Sequence, residues 1–264
     1  MPSNVLWNEM TWPELKQAAA DQRILFFVVG SVEQHGPHLP TGVDALLPMA
    51  IAERAARRVG GVVAPCCTYG YKSLLRAGGG PHFPGSIGLR GATLIAVVQE
   101  ILGQFIQQGW RRIVVLDWHL ENVPFVFEGA DEAVRASALG EDLKVIKIDN
   151  PNGLGTAARP GLMEDLFGED FPGWAVEHAA IWETSAMLAA FPELVREDRI
   201  ADGAPPRPFD YDVLPAPPDG APASGIFWKA TRASREKGQQ ILAAVTEGIV
   251  RVIEKEFGLQ SPLP

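Results

Sequence analysis

The run at residues 24–30, ILFFVVG, limits the fold more than any other stretch. A continuous apolar segment that stops at a glycine is the pattern of a strand buried on both faces. The rest of the chain supplies cover for both faces by alternation. Residues 45–59 have helical spacing and stop at Gly60-Gly61. Residues 62–66 read as a second short strand, 92–108 as a helix with Gly109 just after it, and 112–117 (RIVVLD) as a third strand. A third helix at 122–136 and a fourth strand at 144–149 (KVIKID) follow, with further helices at 175–190 and 234–257. Strand–helix alternation of this kind predicts an α/β fold with a mostly parallel sheet and helices on both faces.

A chain of 264 residues can bury most of its apolar surface without disulfides. There is no internal repeat. Residues 203–224 (GAPPRPFDYDVLPAPPDGAPAS) hold seven prolines in 22 residues, yet Phe209 and Tyr211 within them argue for a loop or arm packed on the domain rather than a linker. The expectation is one domain over 1–264 with a proline-rich arm at 203–224. The net charge of −9 argues against nucleic acid and anionic membrane as partners. No apolar run approaches the roughly 18 residues of a membrane span, and the opening MPSNVLWNEMTW does not read as a signal peptide. Cys66 and Cys67 are adjacent, a poor geometry for a mutual disulfide, and read as reduced thiols of a cytoplasmic protein.

The chemistry gathers after two of the strands. Open parallel sheets bind ligands beyond the carboxyl ends of their strands. Glu33 and His35 lie just past the first strand, in GSVEQHGPHLPTGVDALLP, and His119 and Glu121 just past the third, in DWHLEN. Asp44 completes a set of two imidazoles and three carboxylates, which suits zinc or manganese. Alternate residues of an extended segment point the same way, so each E-x-H or H-x-E pair can serve two ions with Asp44 bridging. Two ions about 3.5–4 Å apart can hold a hydroxide and polarise a substrate oxygen. One such pair alone is ordinarily a surface carboxylate beside a hydrogen-bonded histidine; two in mirrored order on one sheet edge argue for metal. His38 has no partner at ligand spacing and reads as structural. Gly78, Gly79 and Gly80 let backbone approach a ligand closely.

Those residues resemble a known family. GSVEQHGPHLPTGVDALLP is similar to the signature of the creatininase (creatinine amidohydrolase) family. The stretches YGYKSLLRAGGGPHFPGSIGLRGATL, DWHLEN, GWAVEHAAIWETSAML and TRASREKG have counterparts there in the same order. The resemblance covers nearly the whole chain. It implies a three-layer αβα sandwich with a mostly parallel central sheet, two divalent metal ions per chain and a homo-oligomer, commonly a hexamer. Matched motif by motif, one ion takes Glu33 and His119, the other His35 and Glu121, and Asp44 bridges. GWAVEH matches the family's lid residue and Glu-His pair, here Trp174, Glu177 and His178. Metal-bound hydroxide would attack a carbonyl and His178 would carry the proton to the leaving group. On residues alone, Glu177 and His178 equally suit the opening turn of the helix at 175–190. Glu183 reads as a buried hydrogen-bonding group near the site.

The substrate-facing set expected on the same grounds is Trp174, Ala77, Gly78, Gly79, Leu120 and Tyr71. Here the chain departs from the family. Ala77 stands where creatininase has Ser, Leu120 where it has Tyr and Ala175 where it has Asp, and the second lid Trp has no counterpart. The resemblance thus implies hydrolytic machinery with an altered grip on a small cyclic substrate. The leading expectation is an amidohydrolase opening a cyclic amide at a C–N bond. The alternative is a ring-opening C–C hydrolase of a cyclic polyol diketone such as an oxidised inositol, with Asn150 and Asn152 available for hydroxyls. A remote third is a non-catalytic small-molecule-binding protein.

Overall fold

The four apolar runs form one sheet. The computed structural model describes residues 4–149, 151–168, 173–174, 177–204, 211–217 and 219–259. In it β1 (Leu25–Val29), β2 (Val62–Val63), β3 (Arg112–Asp117) and β4 (Lys144–Ile148) are all parallel, in the order β2-β1-β3-β4. Leu25 pairs with Val62 on one side and Ile113 on the other. β2 is shorter than the run at 62–66 suggests. Pro65 has no N–H for a ladder, and pairing resumes only as an isolated bridge between Val29 and Cys67.

The helices cover both faces, as the alternation predicts. In chain order they are α1 (Trp12–Ala20), α2 (Val43–Val59), the short α3 (Leu75–Gly78), α4 (Gly91–Gln107), α5 (Val123–Ser137), α6 (Pro151–Ala158), α7 (Leu162–Phe167), α8 (Ile181–Ala190) and α9 (Arg235–Phe257). α1, which the strand–helix reading left out, opens on a capping box between Thr11 and Glu14 with Pro13 in the first turn. Alternate residues of β1 divide between two cores. Phe26 and Val28 join α2, α8 and α9 on one face; Leu25, Phe27 and Val29 join α1, α4 and α5 on the other. β3 divides the same way, with Val114 and Leu116 on the first face and Ile113 and Val115 on the second. β1 throughout and β3 over its interior, Ile113–Leu116, are therefore apolar, because neither strand has a solvent face.

The helix expected from residue 175 begins only at Ile181. Ala179 sits at φ 52°, in the left-handed region that stops a helix from extending backwards. Two carboxylates from the same stretch cap the exposed donors: Glu183 accepts from Ala179 N at 2.7 Å, and Glu177 from Trp182 N at 2.9 Å. Glu177 and His178 thus lie on the approach to α8 and not in its first turn. Of the proline-rich stretch, Phe209 lies outside the described residues, as do Asn150 and Ala175.

β1 meets β2 on one side and β3 on the other, so the strand order reverses beside it. Ligand crevices of open α/β sheets form at that point. Phe27 is 1 % exposed and its ring meets Phe105 of α4 edge-on at 5.6 Å. Phe27→Ala should lower stability by about 3–5 kcal/mol in denaturant unfolding; a loss under about 1 kcal/mol would show that this face of the sheet is not a packed core.

Candidate metal centre and its cavity

The segments leaving β1 and β3 converge on the first turn of α2. Glu33, His35, Asp44, His119 and Glu121 are each at most 8 % exposed. Asp44 is the second residue of α2, where a carboxylate is favoured by the helix N-terminus. Its two oxygens face different imidazoles. Asp44 Oδ1 is 3.5 Å from His35 Nε2, and Asp44 Oδ2 is 3.5 Å from His119 Nδ1. Glu33 Oε2 stands 3.4 Å from the same His119 nitrogen. On the other side Glu183 of α8 brings Oε1 to 3.6 Å from His35 Nε2.

These separations decide what the cluster suits. They exceed the usual 2.7–3.2 Å of an N–H···O bond. They match the roughly 3.3–3.5 Å between two ligand atoms on one tetrahedral zinc ion, given bonds of about 2.0–2.1 Å. Glu33 Oε1, His35 Nε2, Asp44 Oδ2 and His119 Nε2 are buried without a hydrogen-bond partner among the described residues. Buried polar atoms are normally paired, so the residues present fit divalent cations. The ring tautomers agree. His35 Nδ1 donates to Glu33 O at 3.1 Å, leaving Nε2 with its lone pair towards Asp44 and Glu183. Burial works against charging His35 and His119, yet Glu183 and Asp44 for the first, and Glu33 and Glu121 for the second, hold both imidazoles well above their usual pKa. Bound cations would take the place of those protons.

The arrangement groups the residues differently from the E-x-H alternation. Among the described residues the sets with metal-holding geometry are Glu33–Asp44–His119, His35–Asp44–Glu183 and Glu33–His35–His178. Glu183 joins His35, while Glu121 stays with its own neighbour, 3.4 Å from His119 Nε2. The cause is local: 120–122 form a 3-10 turn rather than an extended segment, so the period-2 rule does not carry Glu121 across to His35. Glu121 also accepts from Leu74 N at 2.8 Å, and burial pushes its carboxyl up to about 7.

His178 stands at the edge of this floor. Its ring is 4.4 Å from that of His35, and Nδ1 is 3.9 Å from Glu33 Oε2. Gln34 sets its tautomer. Gln34 Nε2 spends its two protons on Gly78 O and Gly225 O, so His178 Nε2 is the donor to Gln34 O at 2.9 Å. Nδ1 is left as the basic nitrogen facing the carboxylates. Burial, then His35, lowers the pKa of His178 and favours the neutral ring. Glu177 is only half-buried by surface, but burial of its carboxyl and then Glu183 hold it well above the usual range. Gln34 escaped the sequence reading because it lies between two ligands and points the other way. His38 is fully buried and bonds Thr184 Oγ1 at 2.8 Å, away from the floor.

A cavity of about 400 Å³ opens above these groups, lined by Glu33, Asp44, Ala77, His119, Leu120, Glu121, Trp174, Glu177, His178 and Glu183, with Trp118, Val123, Asp149, Pro151 and Asn152 along the far wall. That is ligand-sized. Trp174 stands edge-on to Trp182 at 4.8 Å. Gly78 lies beneath the floor: a Cβ there would overlap Glu33 Oε1. Gly79 is behind it, against Phe83. Tyr71 is elsewhere, packed at a tilt against Phe125 at 4.2 Å and facing a second cavity of about 410 Å³ shared with Tyr211 and Leu214 of the proline-rich stretch.

Comparison with known proteins covers the same length of chain. The Creatininase family, creatinine amidohydrolase, matches residues 8–253. A creatinine amidohydrolase from Pseudomonas putida is 41% identical over 260 residues, 97% of this chain and 99% of that protein. A 3-dehydro-scyllo-inosose hydrolase from Thermotoga maritima is 27% identical over 282 residues, 97% of this chain and 86% of that one. A solved manganese creatininase superposes with a TM-score of 0.92 at 41% identity, covering 97% of this chain and 99% of the other. A creatininase mutant in a zinc–zinc form superposes at 0.91 with the same identity and coverage.

Elemental analysis of zinc-loaded variants tests the grouping. Asp44→Ala should lose both ions and Glu183→Ala one of them. Full occupancy in either variant would refute that residue's place in the set.

Proposed function

The chain belongs to the creatininase family of metal-dependent hydrolases, and we propose that it opens a small cyclic amide, creatinine or a close analogue, by adding water across a ring C–N bond. The observation that carries this reading is Asp44, buried with one oxygen towards each of two imidazoles on the floor of a ligand-sized cavity. The 41% identity to a creatinine amidohydrolase along the whole chain supports it.

In this reading Glu33, Asp44 and His119, with Glu121 beside His119, would hold one divalent ion, and His35, Asp44 and Glu183 would hold a second. Zinc and manganese suit that donor set, and relatives are known in both forms. Bound there, the ions supply Lewis-acid polarisation of a carbonyl oxygen and a lowered pKa for water. The remaining steps belong to side chains. His178 Nδ1 takes the proton of the attacking water and returns it to the ring nitrogen as the C–N bond breaks; Gln34 O holds the other ring nitrogen. Glu177, kept protonated by burial and by Glu183, anchors the approach to α8 through Trp182 N and stands as a second acid. Trp174 covers the ring and excludes water. Ala77 and Leu120 leave that wall apolar, so the substrate is gripped from elsewhere in the cavity.

Three coarser features go with this reading. The chain acts as one domain with its proline-rich arm. It works in the cytoplasm, where the free Cys66 and Cys67 stay reduced; no helix among the described residues is long and apolar enough to cross a membrane. It assembles as a homo-oligomer, a hexamer by family resemblance. Tyr211 is 72 % and Leu214 87 % exposed beside the cavity under the arm, and apolar exposure of that kind marks an interaction surface.

Metal-loaded protein offered creatinine, simple lactams and oxidised inositols should add one water to a cyclic amide, read by mass spectrometry. His178→Ala should cut that rate by about 10²–10⁴ with metal content intact. Water added only to an oxidised inositol, giving a linear keto-acid, would replace this reading with the C–C alternative. Light scattering should give a mass several times that of one 264-residue chain; a monomer at micromolar concentration would refute the assembly.

A further inference from the structure

The far wall of the cavity carries polar groups that the hydrolytic reading leaves unused. Asp149 follows directly on β4, and Asn152 lies in the first turn of α6. Both line the cavity that holds the metal-ligating cluster. Lys147 of β4 pairs with Asp149 Oδ1, and its ammonium also lies 3.5 Å from Asp117 Oδ2 at the end of β3. The Lys147 side chain is 9 % exposed and Asp117 is fully buried. A lysine enclosed between two carboxylates is a fixed strut, not a solvated surface charge. It fixes one oxygen of Asp149. The other, Oδ2, has no partner among the described residues.

Asn152 is oriented as firmly. Its Oδ1 accepts from Trp182 Nε1 at 3.0 Å. That bond fixes which end of the amide is oxygen, so Nδ2, a donor, is the end left over. The wall thus offers a carboxylate acceptor and an amide donor to the same cavity. The rest of that wall is Trp118, Val123 and Pro151, which offer no side-chain acceptor and only the Trp118 indole N–H as a donor.

We propose that Asp149 is a specificity-determining residue: its free oxygen receives an N–H of the substrate on the side of the ring away from the scissile carbonyl, so that the site selects cyclic amides bearing an amidine or guanidine N–H over oxo analogues of the same size. Asn152 donates to the adjoining acceptor. The inference rests on the cyclic-amide reading and sharpens it. A carbonyl oxygen in place of the N–H would set acceptor against acceptor, an unpaired and repulsive contact. Lys147 acts through Asp149 by holding it in place.

Creatinine and 1-methylhydantoin separate the possibilities, because they differ in an amino group against a carbonyl oxygen on the ring carbon distal to the shared carbonyl. In each, hydroxyl adds to the carbonyl carbon, the bond to the ring nitrogen breaks and that nitrogen takes the proton. Zinc-loaded wild-type protein should favour creatinine in kcat/KM. Asp149→Asn turns a donor outward and should move the ratio by about ten- to hundredfold towards the hydantoin, chiefly through KM, with zinc content unchanged. Asp149→Ser should abolish the preference without reversing it. Asp149 is half-exposed, so neither change threatens folding. Both amides opened with the same ratio in wild type and both variants would overturn this inference and leave the amide reading standing. If neither amide is opened, calorimetry with the products decides: wild-type preference for creatine over N-carbamoylsarcosine, lost in Asp149→Asn, supports the assignment. Binding of neither product overturns it together with the amide reading.

Discussion

The site depends on a single buried carboxylate with two masters. Asp44 presents one oxygen to His35 and the other to His119, at 3.5 Å each, with 3 % of its surface exposed. Taking an anion out of water costs several kcal/mol unless other charges answer it. Here the answers are the two imidazoles, the N-terminus of α2, and the cations for which the spacing is suited. None is available unless β1 and β3 are neighbours, since His35 follows one and His119 the other. The strand order β2-β1-β3-β4 meets that requirement. Packing on both faces of β1, through Phe26 and Val28 on one side and Phe27 and Val29 on the other, then fixes the distance between the two loops.

Much of this was legible in the residues because the physics is short-ranged. ILFFVVG and RIVVLD are strands buried on both faces, and nothing polar interrupts them to suggest otherwise. The crevice position of Glu33, His35, His119 and Glu121 follows from where those strands stop. What was not legible depends on contacts between distant elements or on one local bend. Glu183 reaches His35 only because α8 packs across α2 and the sheet, which no spacing records. Glu121 stays with His119 because residues 120–122 turn as a 3-10 helix, and the alternation rule assumes an extended chain. The start of α8 was misplaced by six residues: the apolar run from 175 hides a left-handed residue at Ala179 and two capping carboxylates.

The same capping carboxylates tie the cover of the cavity to its floor. Glu183 both caps Ala179 and faces His35; Glu177 caps Trp182 and lines the cavity together with Glu183. His178, between them, is held by Gln34, which in turn bridges the Gly78 and Gly225 carbonyls. The proton carrier proposed for the reaction needs a defined basic nitrogen more than it needs a particular pKa, and these bonds leave His178 Nδ1 as that nitrogen. Gly78 completes the floor by having no side chain where Glu33 must stand.

The struts of the cavity come from separate parts of the chain. The floor is drawn from the ends of β1 and β3, from α2 and from α8, all locked together by burial. Asp149, Pro151 and Asn152 of the far wall follow β4, which is the edge strand of the sheet. A change at residues 149–152 therefore alters no residue that the floor uses. This division lets descent explore new substrates cheaply: the reactive half can be inherited intact while drift at one edge turn rewrites what the protein accepts. Paralogues of such a chain should diverge first at that turn.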